Sequence, residues 1–428
     1  MNPLALDLNE QLTKSQPQIA DMLSDLGKLM YYPKGILSQS AEAKSTEYNA
    51  TIGMATYRDR KMYADSLYNV FSELEPDEVF PYAPPQGIEK LRDLWTDKML
   101  RDNPELSKDD FSRPIVTNAL THGLSLVGDL FVDTNDTILL PNHNWGNYKL
   151  VFGTRHSAQI DTYPIFDSEG HYTTQALVET LDQSNQEKIF LVLNYPNNPT
   201  GYTPSKDEVN EIVQAIKRVA ERGTHIIAVV DDAYFGLFYE DVYPYSLFSA
   251  LTQLDSDNVL PIRLDGATKE LFAWGLRVGF ITFGIKDSKA QEVIEAKVKG
   301  LIRSNISSGP MPSQSIVKHV LENRDQLDKE LEHNFETLKA RYEVTKELVY
   351  DEKFSDYWQP YDFNSGYFMA LKVKGVKPEA LRTHLIDNYS IGIIALNDTD
   401  IRIAFSCIEK DDIPHVFESI AKAISELQ

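Results

Sequence analysis

Apolar residues fall into two rhythms along this chain. From Pro114 onward, short β-branched runs alternate with longer stretches whose apolar positions recur at helical spacing. The runs are Pro114–Thr117, Thr137–Leu140, Gln159–Pro164, Lys188–Asn194, His225–Asp231 and Val259–Leu264. Ser205–Arg222 represents the stretches between them, with Val209, Ile212, Val213 and Ile216 on one helical face. Strands separated by helices of that length predict an α/β fold, a mostly parallel sheet covered by helices on both faces. Arg277–Gly284 follows the sixth run too closely for a helical crossover, so an antiparallel strand is expected there.

Outside this block the pattern changes. Residues 1–45 read as a polar arm with a helix over Ile19–Met30. A long helical region, Ser313–Tyr350, leads away from the sheet. Strands follow at Tyr367–Val373, Ile391–Leu396 and Ile401–Phe405, and a helix over Pro414–Leu427 closes the chain. Its proline sits at a first helical position, where an N–H has no intrahelical use. The expected division is 1–75 as an arm and part of a small domain, 76–310 as a large domain, and 311–428 as a C-terminal small α+β domain. Repeats and low-complexity tracts are absent from the sequence.

Composition narrows the partners. The 42 basic and 64 acidic residues give a formal charge of -22, which repels phosphate backbones and anionic membranes. Binding to nucleic acid or to a membrane surface is therefore not expected. A single cysteine, Cys407, gives no internal disulfide framework and fits a reducing compartment. No apolar run approaches the roughly 20 residues of a membrane span, and Met1–Glu10 lacks a basic start and an apolar signal core. A cytoplasmic location is the expectation.

In doubly wound sheets ligands sit outside the carboxyl ends of the strands, so the residues after each run are the informative ones. Asn118-Ala119-Leu120-Thr121 follows the first run and opens a helix. Its free amides and the Thr121 hydroxyl suit a phosphate, although a plain N-cap is the commoner role of a threonine there. Asn144-Trp145-Gly146-Asn147 follows the second, where tryptophan is either core or a stacking surface. Asn194-Tyr195-Pro196-Asn197-Asn198-Pro199-Thr200-Gly201 follows the fourth. Its prolines and glycine make a turn and also fix the Asn198 amide. Asp231-Asp232-Ala233-Tyr234 closes the fifth, and a carboxylate at the end of an apolar strand is costly without a cation or donor. The sixth delivers Gly266-Ala267-Thr268-Lys269, with Arg277 eight residues on. Beside Arg277, the Lys269 amine is expected to have a lowered pKa, which suits a Schiff-base lysine.

Each feature alone is unspecific, but their order is not. In that order the chain resembles the class I/II aminotransferases of fold type I, aspartate aminotransferase in particular, from about Asn49 to Phe405. The resemblance implies a seven-stranded large-domain sheet, a smaller α+β domain, and pyridoxal 5′-phosphate as cofactor, with no metal. It implies that Lys269 holds the cofactor as a Schiff base and shuttles the proton, while Asp231 pairs with the ring nitrogen. Tyr234 and Asn198 would bond the ring hydroxyl oxygen, and Trp145 would stack on the ring. Leu120, Thr121, Thr268 and Arg277 would hold the phosphate, joined by Tyr82 of the partner subunit in a homodimer. Arg402, in Ile-Arg-Ile-Ala-Phe, would clamp the substrate α-carboxylate, and Ile52-Gly53 would close over it. Arg303 aligns with the arginine that grips a distal carboxylate across the dimer; a solvated arginine is the alternative.

Two positions depart from the family pattern. Gly266 stands where a serine is frequent, removing one phosphate hydroxyl, and Ala119-Leu120 replaces the usual small pair. The implied reaction moves an amino group from an L-amino acid, acidic favoured and aromatic allowed, to a 2-oxo acid by a ping-pong route. A C–S lyase or another reaction on the same cofactor is the alternative, since Lys269 and Asp231 serve all of them.

Overall fold

The computed structural model describes residues 1–33, 35–58 and 60–428. Seven strands form the large sheet: β1 Ile115–Asn118, β2 Thr137–Pro141, β3 Gln159–Tyr163, β4 Lys188–Asn194, β5 His225–Asp231, β6 Val259–Gly266 and β7 Val278–Phe283. They lie in the order β1-β7-β6-β5-β4-β2-β3. All pairings are parallel except those of β7, which runs antiparallel to both β1 and β6. The short link from β6 to β7 leaves no room for a crossover helix, which is why this strand alone reverses. Buried residues run unbroken through Ile189–Asn194 and Ile226–Asp231, as a sheet covered on both faces requires.

The covering helices include α1 Glu89–Asp102, α2 Ala119–Phe131, α3 Lys206–Glu221 and α4 Ser288–Asn305. Helix α3 starts on a capping box. The Ser205 hydroxyl accepts from the Glu208 N–H, and the Glu208 carboxylate accepts from the Ser205 N–H. It then buries Val209, Ile212, Val213 and Ile216. The expected long helix after residue 313 is two helices, α5 Met311–Glu322 and α6 Arg324–Val349. Asn323 leaves the helical backbone between them, at φ -123° and ψ 60°.

A second, four-stranded sheet makes the smaller domain, from β8 Trp358–Pro360, β9 Met369–Val373, β10 Ile394–Ala395 and β11 Asp400–Ile403, with α7 Ile413–Leu427 alongside. The expected strand Ile391–Leu396 is divided. Ile391–Gly392 pairs in parallel with Tyr48–Asn49, while β10 pairs with β11. The N-terminal segment thereby makes a separate two-stranded sheet with the C-terminal part of the chain.

The arm departs from expectation. It begins with a helix at Pro3–Ser15, capped where Asn2 Oδ1 accepts from the Leu4 N–H at 2.9 Å. Ile19–Met30 is not one helix but the end of Pro17–Met22 and all of Asp25–Leu29, separated by extended Leu23. Ser24 accepts from the Gly27 N–H and restarts the chain as a new N-cap. No helix of the described residues is long and apolar enough to cross a membrane.

Candidate active site

The carboxyl ends of β1, β4, β5 and β6 open onto a cavity of about 370 Å³, which β11 reaches from the smaller domain. Eleven of the fourteen residues singled out from the sequence line it: Gly53, Leu120, Thr121, Trp145, Asn198, Asp231, Tyr234, Thr268, Lys269, Arg277 and Arg402. Ile52, Tyr82 and Arg303 do not. Tyr82 is 92% exposed, and Arg303 is exposed near the end of α4, where it donates to the Ser307 hydroxyl.

Asp231 closes β5 and is buried. Its Oδ2 accepts from the Tyr148 hydroxyl at 2.6 Å and its Oδ1 from the Ala233 N–H at 3.1 Å. Burial raises its carboxyl pKa, while the Tyr148 bond and the nearby Lys269 oppose that rise. Lys269 lies in the single helical turn Ala267–Glu270 after β6, its Nζ 4.8 Å from the centre of the Tyr234 ring. Burial, opposed by Asp231, lowers its amine to about 8. Arg277 also lowers it but is the smallest of the three influences, so desolvation rather than like charge is the main cause.

Arg402, from β11, is 2% exposed. Its Nη1 donates to Asn198 Oδ1 at 3.1 Å, its Nη2 donates to the Thr51 carbonyl at 2.7 Å, and its guanidinium lies 4.2 Å from the centre of the Phe368 ring. Among the described residues no carboxylate comes within ion-pair distance of it, and Nε has no partner. Burial without a counter-ion lowers its pKa to about 10. Such a cation is costly alone and is relieved by an incoming anion.

The Asn198 turn is held rigidly, as expected. Its N–H donates to Asn194 Oδ1 at 2.9 Å, and the Asn194 side chain donates to the Asp231 carbonyl at 3.0 Å. Trp145 meets Tyr148 edge-on, with ring centres 5.6 Å apart. Thr121 is not an N-cap but the third residue of α2, in the turn whose amides lack intrahelical acceptors. Ala119 takes a left-handed φ of 62° to swing the chain from β1 into that helix.

The sequence departure at Gly266 has a packing reason. Gly266 faces Gly279 in the β6–β7 register, and a Cβ on Gly266 would stand 2.7 Å from both Gly279 Cα and the Val278 carbonyl oxygen. A serine does not fit. The buried Thr268 hydroxyl nearby has no partner among the described residues. That orphan, the α2 amides and Arg277 suit a phosphate at one end of the cavity. Asp231 suits a protonated ring nitrogen, and Lys269 is free to meet an aldehyde. The residues fit pyridoxal phosphate.

Residues 57–420 match the family model described as aminotransferase class I and II. The chain belongs to this family. This aminotransferase is 25% identical over 371 residues to the mitochondrial aspartate aminotransferase of Schizosaccharomyces pombe, covering 82% of each chain. It is 25% identical over 368 residues to the LL-diaminopimelate aminotransferase of Natranaerobius thermophilus, covering 82% of this chain and 86% of that one. An aminotransferase structure from Anaerococcus prevotii superposes with a TM-score of 0.82 at 20% identity, over 94% of this chain and 98% of that one. The aminotransferase uses pyridoxal 5′-phosphate, the cofactor of its family.

Sequence reasoning missed Tyr148, Asn194, Trp274, Phe368 and Ile36, all in the cavity wall. Tyr148 was three residues past Trp145 and Asn194 ended a strand already read. Phe368 and Ile36 come from distant segments, and only the folded chain brings them together.

Proposed function

We propose that this aminotransferase takes the amino group from an L-amino acid, acidic side chains preferred, and gives it to a 2-oxo acid in two half-reactions. The observation carrying this reading is the buried Arg402, a cation with no carboxylate partner among the described residues, on the same cavity as Lys269 and Asp231. It suits the α-carboxylate, which would replace missing counter-charge rather than compete with an internal partner. Backbone at Ile52-Gly53 closes over that group, next to the Thr51 carbonyl that orients Arg402.

The cofactor supplies an electron sink that lets the α-hydrogen of the amino acid leave as a proton. Asp231, which accepts from the Tyr148 hydroxyl and the Ala233 N–H, would pair with the ring nitrogen and keep it protonated. Lys269 would hold the cofactor's aldehyde, and its Nζ, on the same cavity as Arg402, would serve as the base that accepts the α-proton and later gives it back. An amine near 8 is well matched to that work at neutral pH. The Oδ1 of Asn198 is engaged by Arg402, so its Nδ2 would be the donor for the ring hydroxyl oxygen, joined by the Tyr234 hydroxyl. Trp145, in the cavity wall, would stack on the ring. The Leu120 amide, Thr121, Thr268 and Arg277 would hold the phosphate.

We infer a homodimer with shared sites. Tyr68, Phe71, Phe80 and Tyr82 are 65%, 55%, 84% and 92% exposed, a run of large rings whose burial favours a second copy. Tyr82 of the partner subunit would then reach the phosphate, and Arg303 of the partner subunit a distal carboxylate. We place the domain boundaries at 75 and 310, supported by the pairing of Tyr48–Asn49 with the C-terminal segment. A cytoplasmic location is supported by one unpaired cysteine.

Acidic substrates are tested by an amino-acid panel with 2-oxoglutarate, following cofactor absorbance. Arg303→Ala is expected to lose diacids by about 10- to 100-fold while sparing aromatic donors. Equal losses for both classes remove the distal-carboxylate assignment.

A further inference from the structure

Lys269 and Asp231 each have a charged neighbour in the chain that does not line the cavity, and these neighbours belong to two buried ion clusters joined through Trp95, whose ring centre lies 5.1 Å from Lys98 Nζ. Asp232, 2% exposed, accepts from Arg263 Nε at 2.7 Å. Arg263 also lies 3.4 Å from Asp265 Oδ2, which accepts from the Trp95 indole N–H at 3.0 Å. The Glu270 side chain, 5% exposed, is bonded to Lys98 Nζ, and that amine sits 2.6 Å from Asp102. Trp95 and Lys98 share one face of α1, so a single helix clasps both the end of β6 and the turn beyond it.

That clasp matters because of how Lys269 is held. Its helix, Ala267–Glu270, is one turn long, and one turn does not sustain itself. Just beyond it, Phe272 and Arg277 take left-handed φ values of 52° and 56°, so no regular helix follows. The place of this turn must come from side-chain anchors, and Glu270 is the charged one. On the neighbouring strand Asp231 ends β5, and the very next side chain is tied to Arg263 of β6.

We propose that Glu270, pinned by Lys98, is a positioning residue for Lys269, and that Asp232, pinned by Arg263, does the same for Asp231. One network thereby fixes the separation between the amine and the carboxylate. The proposal rests on the reading of those two residues as cofactor-binding.

The test reads Lys269 without the cofactor. Asp231, Tyr234 and Arg277 face its amine. Lys98, Asp102, Arg263 and Asp265 surround Glu270, and Arg324, Asp328 and Glu332 of α6 line the second cavity it borders. Cofactor-free protein is labelled with an acylating reagent across a pH series, and the rate at Lys269 is followed by mass spectrometry. In the wild type the rate should rise through about pH 8. Glu270→Ala and Lys98→Met should each move that inflection upward, towards the roughly 10.4 of a hydrated lysine, because a loosened turn admits water. In the loaded enzyme kcat should fall about tenfold or more with KM little changed. Glu270→Gln, which keeps shape and one acceptor, should restore part of both. If these variants melt cooperatively and their Lys269 inflection stays at the wild-type pH, the network is merely structural and the proposal fails. Should Glu270→Ala not fold, Lys98→Met and Glu270→Gln decide. Borohydride reduction of the wild-type holoenzyme separates the two levels: no label at Lys269 overturns the site itself, whatever the variants do.

Discussion

Replacing Tyr148 with phenylalanine removes the hydroxyl that Asp231 Oδ2 accepts at 2.6 Å. Hydrogen bonds to a charged group are worth about 1.5–3 kcal/mol, so the carboxylate should hold the ring proton less well. The expected outcome is a kcat lowered by about 10- to 100-fold in a protein that still folds; steady-state kinetics with an unchanged melting curve would show it. Lys269 offers a second residue-scale test. Its amine is lowered to about 8 in the folded protein against 10.5 as the ordinary value. Above 10.5 the amine is neutral in both states, so burial has no ionic cost. As pH falls from 10.5 to 8 the cost grows, and below 8 it is constant, of the order of 3 kcal/mol at most. Cofactor-free Lys269→Met should therefore melt higher than wild type at neutral pH. The advantage should shrink as the pH is raised from 8 towards 10.5. Lys269 could be singled out from sequence by its order after Asn198 and Asp231 and its spacing to Arg277, and it does line the cavity. The cause of its lowered pKa could not be, since burial is a property of the folded surroundings and no spacing encodes it.

Among elements, the strands were readable because a sheet buried on both faces forces continuous apolar runs. Lys188–Asn194 and His225–Asp231 match residue for residue. Helices bound by strong caps, such as α3, were equally clear. The arm was misread because its signals are caps rather than periodicity: Asn2-Pro3 starts one helix and Ser24 interrupts another. The two-residue strand Ile391–Gly392 is defined only by its partner Tyr48–Asn49, far away in sequence. Gly266 supplies the prediction at this scale. Gly266→Ser, which restores the frequent family residue, would drive a Cβ to 2.7 Å from Gly279 Cα. Strain of this kind costs about 1–3 kcal/mol, so the variant should melt several degrees lower and gain no cofactor affinity. Tighter cofactor binding with an unchanged melting curve would show that the two strands part easily.

At the scale of the whole molecule, the cavity draws Arg402 from one sheet and Asn198 and Lys269 from the other, so the site exists only when both domains are formed. Tyr82 and Arg303 lie outside it, and the proposed second copy would account for both. Sequence could name them only through the resemblance, because nothing in one chain's patterning brings them to the site. Mixing Lys269→Ala with Tyr82→Ser chains tests this sharing. A hybrid dimer would contain one intact site, so a random mixture should reach about a quarter of wild-type activity, above the sum of the separate variants. The most direct measurement of the account is to load the protein with pyridoxal 5′-phosphate, reduce it with borohydride, and map the modified peptide by mass spectrometry. The added phosphopyridoxyl mass should fall on Lys269 alone and vanish in Lys269→Ala. A label on another lysine, or none, would contradict the assignment on which everything else here depends.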